Sequence, residues 1–412
     1  MKVNKKRLFG ISILTALAVS AAGCSSSDGE QTADETGAAS AGTLTVWVDS
    51  NRAEAMEQVA ADFEAAKGIA VEIVVRDLSK IQEDFTAQVP TGEGPDITIG
   101  SHDWIGALVR DGVIAPVELG DKTADFNPVA IEAVSYDGQV YGVPYSVENV
   151  AILRNTALAD STPATFDEMI AAGEASGAEY PFLIGLDENT GDSYHLYPFQ
   201  TSFGSSVFAQ NADGTFDPTQ LTIGDDAGVE FAEWLGEQGE AGILKPGLTS
   251  DLAKAAFNEG KSPYYISGAW NLPDAEAAGI DVAVDPIPSA GGEAASPFVG
   301  VQAFFISAKS TNALAANEFL VNYIATLDVQ TALFEVGARL PALTEAAEAA
   351  IASDPLQAGF AAAAENGVPM PSVPEMGSVW EDWGKASVAI MKGADPESTW
   401  EEMAASIQEK IG

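Results

Sequence analysis

Cysteine and histidine are scarce in this 412-residue chain, which contains one cysteine and two histidines. A single cysteine excludes an intrachain disulfide framework. The histidines, His102 and His195, lie far apart in the sequence and have neither cysteine partners nor the H-E-x-x-H spacing that zinc sites use. We therefore expect no disulfide, no metal site and no cofactor.

Positive charge is also in short supply, with 19 lysines and arginines against 61 aspartates and glutamates and a formal net charge of −42. Such a surface is repelled by nucleic-acid phosphates and by anionic lipid headgroups, so we expect no nucleic-acid partner. A binder of cations or polyamines is one alternative that the charge suggests. Against it, the acidic residues are spread along the whole chain, as on a solvated surface.

Common catalytic motifs are missing as well. The sequence has no P-loop, no G-x-S-x-G elbow and no well-placed G-x-G-x-x-G. We therefore interpret the chain as a binding protein and not as an enzyme. A glycoside hydrolase, which needs only a pair of carboxylates and a sugar cleft, remains the alternative from another class.

The first 23 residues have the pattern of an export signal. A short apolar stretch at 8–19 follows four basic residues, which are Lys2, Lys5, Lys6 and Arg7. The sequence AAGC at 21–24 resembles a bacterial lipobox, with Ala21 where an apolar residue such as leucine is usual. We expect secretion across the cytoplasmic membrane and lipidation of Cys24, which anchors the protein on the outer face. An ordinary secretory signal is the alternative.

The rest of the chain divides into a tether and a folded part. Residues 25–42 are small, polar and acidic, so residues 24–42 are interpreted as the lipidated cysteine and a disordered tether. Residues 43–412 are too many for one compact core and suggest two lobes.

Strand and helix patterns alternate from residue 44 onward, which predicts an α/β fold with a mainly parallel sheet. Helical spacing of apolar residues begins after strand 44–48, and a second helix is expected to start with a capping box at Ser79. Further along, the periodicity predicts single long helices at 312–335 and 344–363.

Carboxylates and aromatic residues near predicted loops suggest a carbohydrate site. Sugar rings present hydroxyl edges and C–H faces, which ionised side chains and flat aromatic rings respectively satisfy. Each residue alone has a simpler explanation, since tryptophans are usually buried and Asp103 precedes a helix that it would cap. The candidates are Arg52, Asp103, Trp104, Glu148, Asp192, Tyr194, Trp270, Trp380 and Trp383.

Several stretches, read together and in order, resemble the maltose/maltodextrin-binding proteins of bacterial ABC importers over residues 43–393. They are LTVWV with FEAAKGIAVE, TGEGPDI followed by His102-Asp103, YGVPYSVENVAILRN, AAFNEGKSPYYISGAW, SPFVGV and MPSVPEMGSVW. The resemblance implies a two-lobed periplasmic-binding-protein-like fold of type II, with a ligand cleft between lobes joined by a hinge. It places the N-lobe at about 43–146 and 304–350, and the C-lobe at about 151–298 and 356–412.

The resemblance further implies a monomeric extracellular subunit that captures α-linked glucans by hinge closure and delivers them to the transmembrane subunits of an ABC permease. Trehalose, a cyclodextrin or a β-linked glycan are alternative ligands. The residues implied as ligand contacts are Asn51, Arg52, Asp103, Trp104, Glu148, Asp192, Tyr194, His195, Trp270, Met370 and Trp380.

Three positions depart from the family pattern. Asn51 stands where an aspartate is usual, Gly100 where a tryptophan is usual, and Trp104 where an arginine is usual. The last two departures predict that an aromatic ring has shifted along one binding loop.

Overall fold

The structure is a computed structural model that describes residues 42–210 and 216–412. The predicted signal, Cys24 and nearly all of the predicted tether lie outside the described residues. The described residues belong to one compact unit. Among the helices of the described ranges, none combines the length and the apolar character needed to cross a membrane.

Strands and helices alternate along the described chain. The strands are β1 (Leu44–Val48), β2 (Val71–Val75), β3 (Ile97–Ser101), β4 (Ile114–Ala115), β5 (Ser135–Tyr136), β6 (Gln139–Val140), β7 (Gly142–Glu148), β8 (Val150–Asn155), β9 (Phe208–Gln210), β10 (Phe216–Leu221), β11 (Tyr264–Gly268), β12 (Val282–Asp285), β13 (Phe298–Ser307), β14 (Leu340–Pro341) and β15 (Val368–Pro369).

The α-helices are more numerous in the C-terminal half. They are α1 (Ala53–Lys67), α2 (Leu78–Gln88), α3 (Ile105–Arg110), α4 (Pro128–Ala133), α5 (Phe166–Ala175), α6 (Ser193–Thr201), α7 (Asp226–Glu240), α8 (Ser250–Asn258), α9 (Leu272–Ala277), α10 (Ala313–Phe319), α11 (Leu327–Gly337), α12 (Thr344–Ser353), α13 (Pro355–Ala363), α14 (Met376–Met391) and α15 (Pro396–Ile411).

The first sheet has the strand order β14-β7-β13-β3-β1-β2. Strand β1 pairs in parallel with β2 and β3, as the alternating pattern predicts. Strand β13, however, runs antiparallel to both β3 and β7, so the expectation of a mainly parallel sheet is wrong. All ten residues of β13 are buried, and a continuous apolar run does not reveal its direction.

A second sheet, ordered β11-β8-β12, is antiparallel throughout. Only Asn149 separates β7 of the first sheet from β8 of the second, so the chain crosses between sheets within one residue. Strand β13 makes the return crossing, because Phe298 at its start packs in the core around the second sheet and Val301 in the core of the first. These two crossings lie side by side through the pairing of β13 with β7.

Two main hydrophobic cores follow this division. Residues 44–145 and 301–346 form the first core. Residues 150–298 and 370–407 form the second, beside a smaller cluster that includes Leu153 and Phe360. We propose that the lobe boundaries follow these cores.

Both long-helix predictions are wrong in continuity. The predicted helix at 312–335 consists of α10, a π-helical turn at Leu320–Ile324 and α11. The helical conformation is interrupted at Ala325, which has ψ 52°. The predicted helix at 344–363 is α12 and α13, because Pro355 disfavours helical geometry at Asp354. The Asp354 side chain then caps α13 by accepting from the Leu356 amide.

The start of α2 also differs from the predicted capping box. Asp77, two residues before Ser79, is the N-cap and accepts from the Ser79 amide at 3.0 Å. Aspartate is as good an N-cap as serine, and the sequence pattern does not separate the two.

Candidate functional site

A cavity of about 650 Å³ lies between the two cores. Its walls come from the ends of β1, β3 and β7 on one side, and from the loop before α6, the end of β11 and helix α14 on the other. It is lined by Asp49, Asn51, Leu78, Ser101, Asp103, Trp104, Glu148, Thr190, Gly191, Asp192, Ser193, Tyr194, Trp270, Gln302, Arg339, Met370 and Trp380.

The structure brings most of the predicted contact residues to this cavity. Those on its wall are Asn51, Asp103, Trp104, Glu148, Asp192, Tyr194, Trp270, Met370 and Trp380. The exceptions are Arg52 and His195. The first core and the second core both contribute aromatic and carboxylate side chains, so one bound molecule would contact both sides at once.

Arg52 lies behind the cavity wall, contrary to the expected sugar contact. Its side chain is 2% exposed and forms an ion pair with Asp49, three residues earlier, while its guanidinium lies 5.0 Å from the ring centroid of Tyr145. The nearby carboxylate and the aromatic ring hold the guanidinium inside the first core. Asp49, and not Arg52, therefore reaches the cavity.

Arg339 is a basic residue of the cavity that the sequence did not single out. It precedes β14, forms an ion pair with Glu148, and lies 5.4 Å from the ring centroid of Trp270. Burial alone would lower the pKa of Arg339, but Glu148, together with Tyr145 and Asp49, more than offsets this effect and the pKa lies above its ordinary value. Glu148 also accepts from the Gln302 amide at 2.9 Å. A charged, hydrogen-bonded cluster thus forms one side of the cavity.

Tyr194 lies close to this cluster. Burial raises the pKa of Tyr194 well above its ordinary value, and the carboxylates of Glu148 and Asp192 raise it further. Its hydroxyl is therefore protonated and has no hydrogen-bond partner among the described residues. A buried donor without a partner is costly, so a ligand acceptor at this place would be stabilising.

Trp380 and Asp103 connect the two sides of the cavity. The Trp380 Nε1–H donates to Asp103 Oδ2 at 3.2 Å. No side-chain cap is formed at the turn that carries Asp103, so helix capping does not explain this carboxylate. Trp383 stacks under Trp380 with ring centroids 5.5 Å apart and is fully buried, which assigns Trp383 to the core.

Asp192 has a second role as the N-cap of α6. Its carboxylate accepts from the His195 amide at 3.0 Å, and its other oxygen lies 2.7 Å from His195 Nδ1. The His195 ring meets Trp270 edge-on at 6.0 Å. His195 contacts Asp192 and Trp270 but does not line the cavity, and its direct contact with a ligand stays a prediction.

His102 ties the loop of Asp103 to the opposite side. It is fully buried, its Nδ1 accepts from the Val301 amide, and its Nε2 lies 3.0 Å from the Met370 carbonyl oxygen. The amide donor makes Nδ1 the acceptor, so Nε2–H is the donor. Burial lowers the pKa of His102, which fits this neutral form.

Several cavity residues were not predicted, because no sequence pattern distinguishes them. They are Asp49, Leu78, Ser101, Thr190, Gly191, Ser193, Gln302 and Arg339. Gly191 and Ser193 adjoin Asp192, and Asp49, Ser101 and Thr190 each lie two residues from a predicted contact, so closeness in the sequence was the available clue for these five. Within the described ranges, no group of three potential ligands is arranged to hold a metal ion.

Two α/β lobes, two crossing strands and an open cleft of aromatic and carboxylate side chains define a two-lobed binding protein of the periplasmic type. Residues 58–361 match the model of the family described as bacterial extracellular solute-binding protein. The chain belongs to that family. The predicted family and fold class are confirmed.

Curated relatives and similar solved structures agree with this family assignment. The chain is 25% identical over 380 residues to the galactooligosaccharide-binding protein of Bacillus subtilis (strain 168), covering 89% of each chain. It is 27% identical over 384 residues to the maltodextrin-binding protein of the same strain, covering 91% of this chain and 90% of that one. The maltotriose-binding protein of Thermus thermophilus, solved with maltotriose, aligns with a TM-score of 0.81 at 31% identity, covering 90% of this chain and 100% of that chain.

Proposed function

We propose that this protein captures maltodextrin-type oligosaccharides outside the cell and delivers them to the transmembrane subunits of an ABC importer. The observation that carries the proposal is the cleft itself, where aromatic rings and ionised side chains from both lobes face one cavity. The relatives that bind maltodextrin and maltotriose support the choice of ligand. The relative named for galactooligosaccharides supports a second candidate ligand of the same general class.

The side chains divide the work of recognition by chemistry. Trp104, Trp270 and Trp380 offer flat faces to the C–H surfaces of sugar rings. Asp103 and Asp192 are acceptors for sugar hydroxyls, with stronger hydrogen bonds because they are ionised. These residues belong to opposite lobes, so a bound sugar favours the closed form, as hinge closure in this class of protein requires.

Purified protein is expected to bind maltotriose in a calorimetric titration without hydrolysing it. Galactooligosaccharides, trehalose and cyclodextrins serve as the comparison ligands, and product analysis after long incubation tests for turnover. A galactooligosaccharide that binds while maltotriose gives no heat would transfer the assignment to the second candidate. Glucose that accumulates in proportion to the protein would refute the non-enzymatic function.

Anchoring at Cys24 is the second part of the proposal. In cells, Cys24→Ser is expected to move the protein from the membrane fraction to the medium or periplasm, because the lipid-bearing thiol is gone. Ser27→Ala, in the same segment, is the matched control and should leave the protein with the membrane. A Cys24→Ser protein that remains in the membrane fraction would rule out this anchor.

A further inference from the structure

Each lobe places one cleft tryptophan directly on a glycine. Gly100 lies in β3, and a Cβ built on it would stand 2.4 Å from Cζ3 of Trp104. Gly268 ends β11, and a Cβ built there would stand 1.9 Å from Cζ3 of Trp270. Neither distance leaves room for any side chain. Both tryptophans lie in short 3₁₀ turns that follow their strand at once.

The backbone does not require glycine at either position. Gly268 has φ −98° and ψ 178°, an extended conformation that any residue adopts. Gly100 is not among the residues with positive φ, and it pairs with Ala303 in the ladder between β3 and β13. Since glycine weakens a strand relative to residues with side chains, its presence at both places needs another reason. At both places an indole ring occupies the space that a side chain would need, and at Gly100 the Phe305 ring does so as well.

We propose that Gly100 and Gly268 are positioning residues of the ligand cleft. Each glycine lets one tryptophan ring lie directly against the backbone and so fixes the position of that ring. We call this contact the seat of the ring. This inference rests on the proposed binding of carbohydrate. One part of such a ring packs against the glycine backbone, and another part forms the cavity wall. Its orientation is then set before ligand arrives, which lowers the ordering cost of binding.

The same contact also limits which residue position 100 can hold. A tryptophan at 100 and the present Trp104 would need the same space, because the Trp104 ring already occupies the place of a side chain at 100. A side chain at position 100 is therefore incompatible with the present place of the Trp104 ring.

Gly268 offers the sharper test of the two. All three of the nearest atoms to its added Cβ belong to the Trp270 ring, whereas Gly100 also meets the core residue Phe305 at 2.9 Å. An alanine at 268 must therefore move the Trp270 ring, which also disturbs the contact of that ring with Arg339.

The experiment compares Gly268→Ala, Trp270→Ala and their double variant with the parent protein. We expect Gly268→Ala to change the near-ultraviolet circular dichroism of the ligand-free protein and to weaken maltotriose binding by about tenfold or more. In the Trp270→Ala background the alanine should weaken binding no further. Gly377→Ala is the matched control, because no atom beyond its chain neighbours and its own helix backbone lies within 4 Å of its added Cβ, and it should bind as the parent does.

Each outcome decides the proposal. An unchanged spectrum and affinity for Gly268→Ala would overturn it, as would an equal loss in the Trp270→Ala background, which indicates a backbone role. If Gly268→Ala does not fold, a folded double variant supports the seat and an unfolded one overturns it. A parent protein that binds no sugar would refute the proposed function, while the ligand-free spectra still test the seat.

Discussion

Trp270→Ala is expected to weaken maltotriose binding by about thirtyfold or more while leaving the fold nearly intact. The Trp270 ring lies on the cavity wall, half-buried, with the Arg339 guanidinium on it and Tyr194 beside it. Truncation of such an aromatic anchor typically costs about 2 kcal/mol or more, which corresponds to that change in affinity. Calorimetric titration and ligand-free melting on the same variant measure the two effects separately.

Trp400→Ala is the contrasting variant. Trp400 is fully buried in the second core, and its Nε1–H donates to the Ile223 carbonyl oxygen at 2.7 Å. Truncation of a core tryptophan costs about 3–5 kcal/mol of stability through the cavity it leaves. The affinity of the remaining folded protein should be unchanged. A Trp270→Ala protein that behaves in this way would assign Trp270 to the core and remove it from the site.

The early part of the fold could be predicted because its signals are local. Strands β1 to β3 and the helices between them follow from short apolar runs, helical spacing and turn residues. The breaks in the later helices could not be read in the same way. Apolar spacing continues through Asp354, so only the geometric effect of Pro355 on its predecessor indicated the break.

Only part of the candidate site could be predicted from the sequence. Family resemblance supplied the positions of Asp103, Glu148 and the tryptophans, and the structure places them on one cavity. The resemblance did not tell which way the Arg52 side chain points, and Asp49, three residues away, holds it inside. No local sequence pattern marks Arg339. Its role depends on its ion pair with Glu148, which lies 191 positions earlier in the chain.

Arg339→Ala is expected to lower both stability and affinity. Arg339 and Glu148 are each 9% exposed as side chains, so the substitution leaves a buried carboxylate without its countercharge. Removal of one partner from a buried ion pair typically destabilises a protein by about 3–5 kcal/mol. The Trp270 ring also loses the guanidinium that lies on it, so maltotriose binding should weaken as well. Denaturant unfolding and calorimetric titration measure the two effects.

A double variant separates the role of the charge in folding from its role in the cleft. Arg339→Met with Glu148→Gln removes both charges and keeps similar volumes, and such a replacement of a buried pair is often neutral for stability. We expect stability to return towards that of the parent protein while affinity stays low, because the cleft has lost an ionised acceptor and the cation on Trp270. Recovery of affinity together with stability would mean that the pair only supports the fold.

Arg339→Lys completes the comparison, since lysine keeps the charge but lacks the planar group that stacks on an aromatic ring. Weaker binding by the lysine variant at nearly unchanged stability would assign the loss to the shape of the guanidinium and not to its charge.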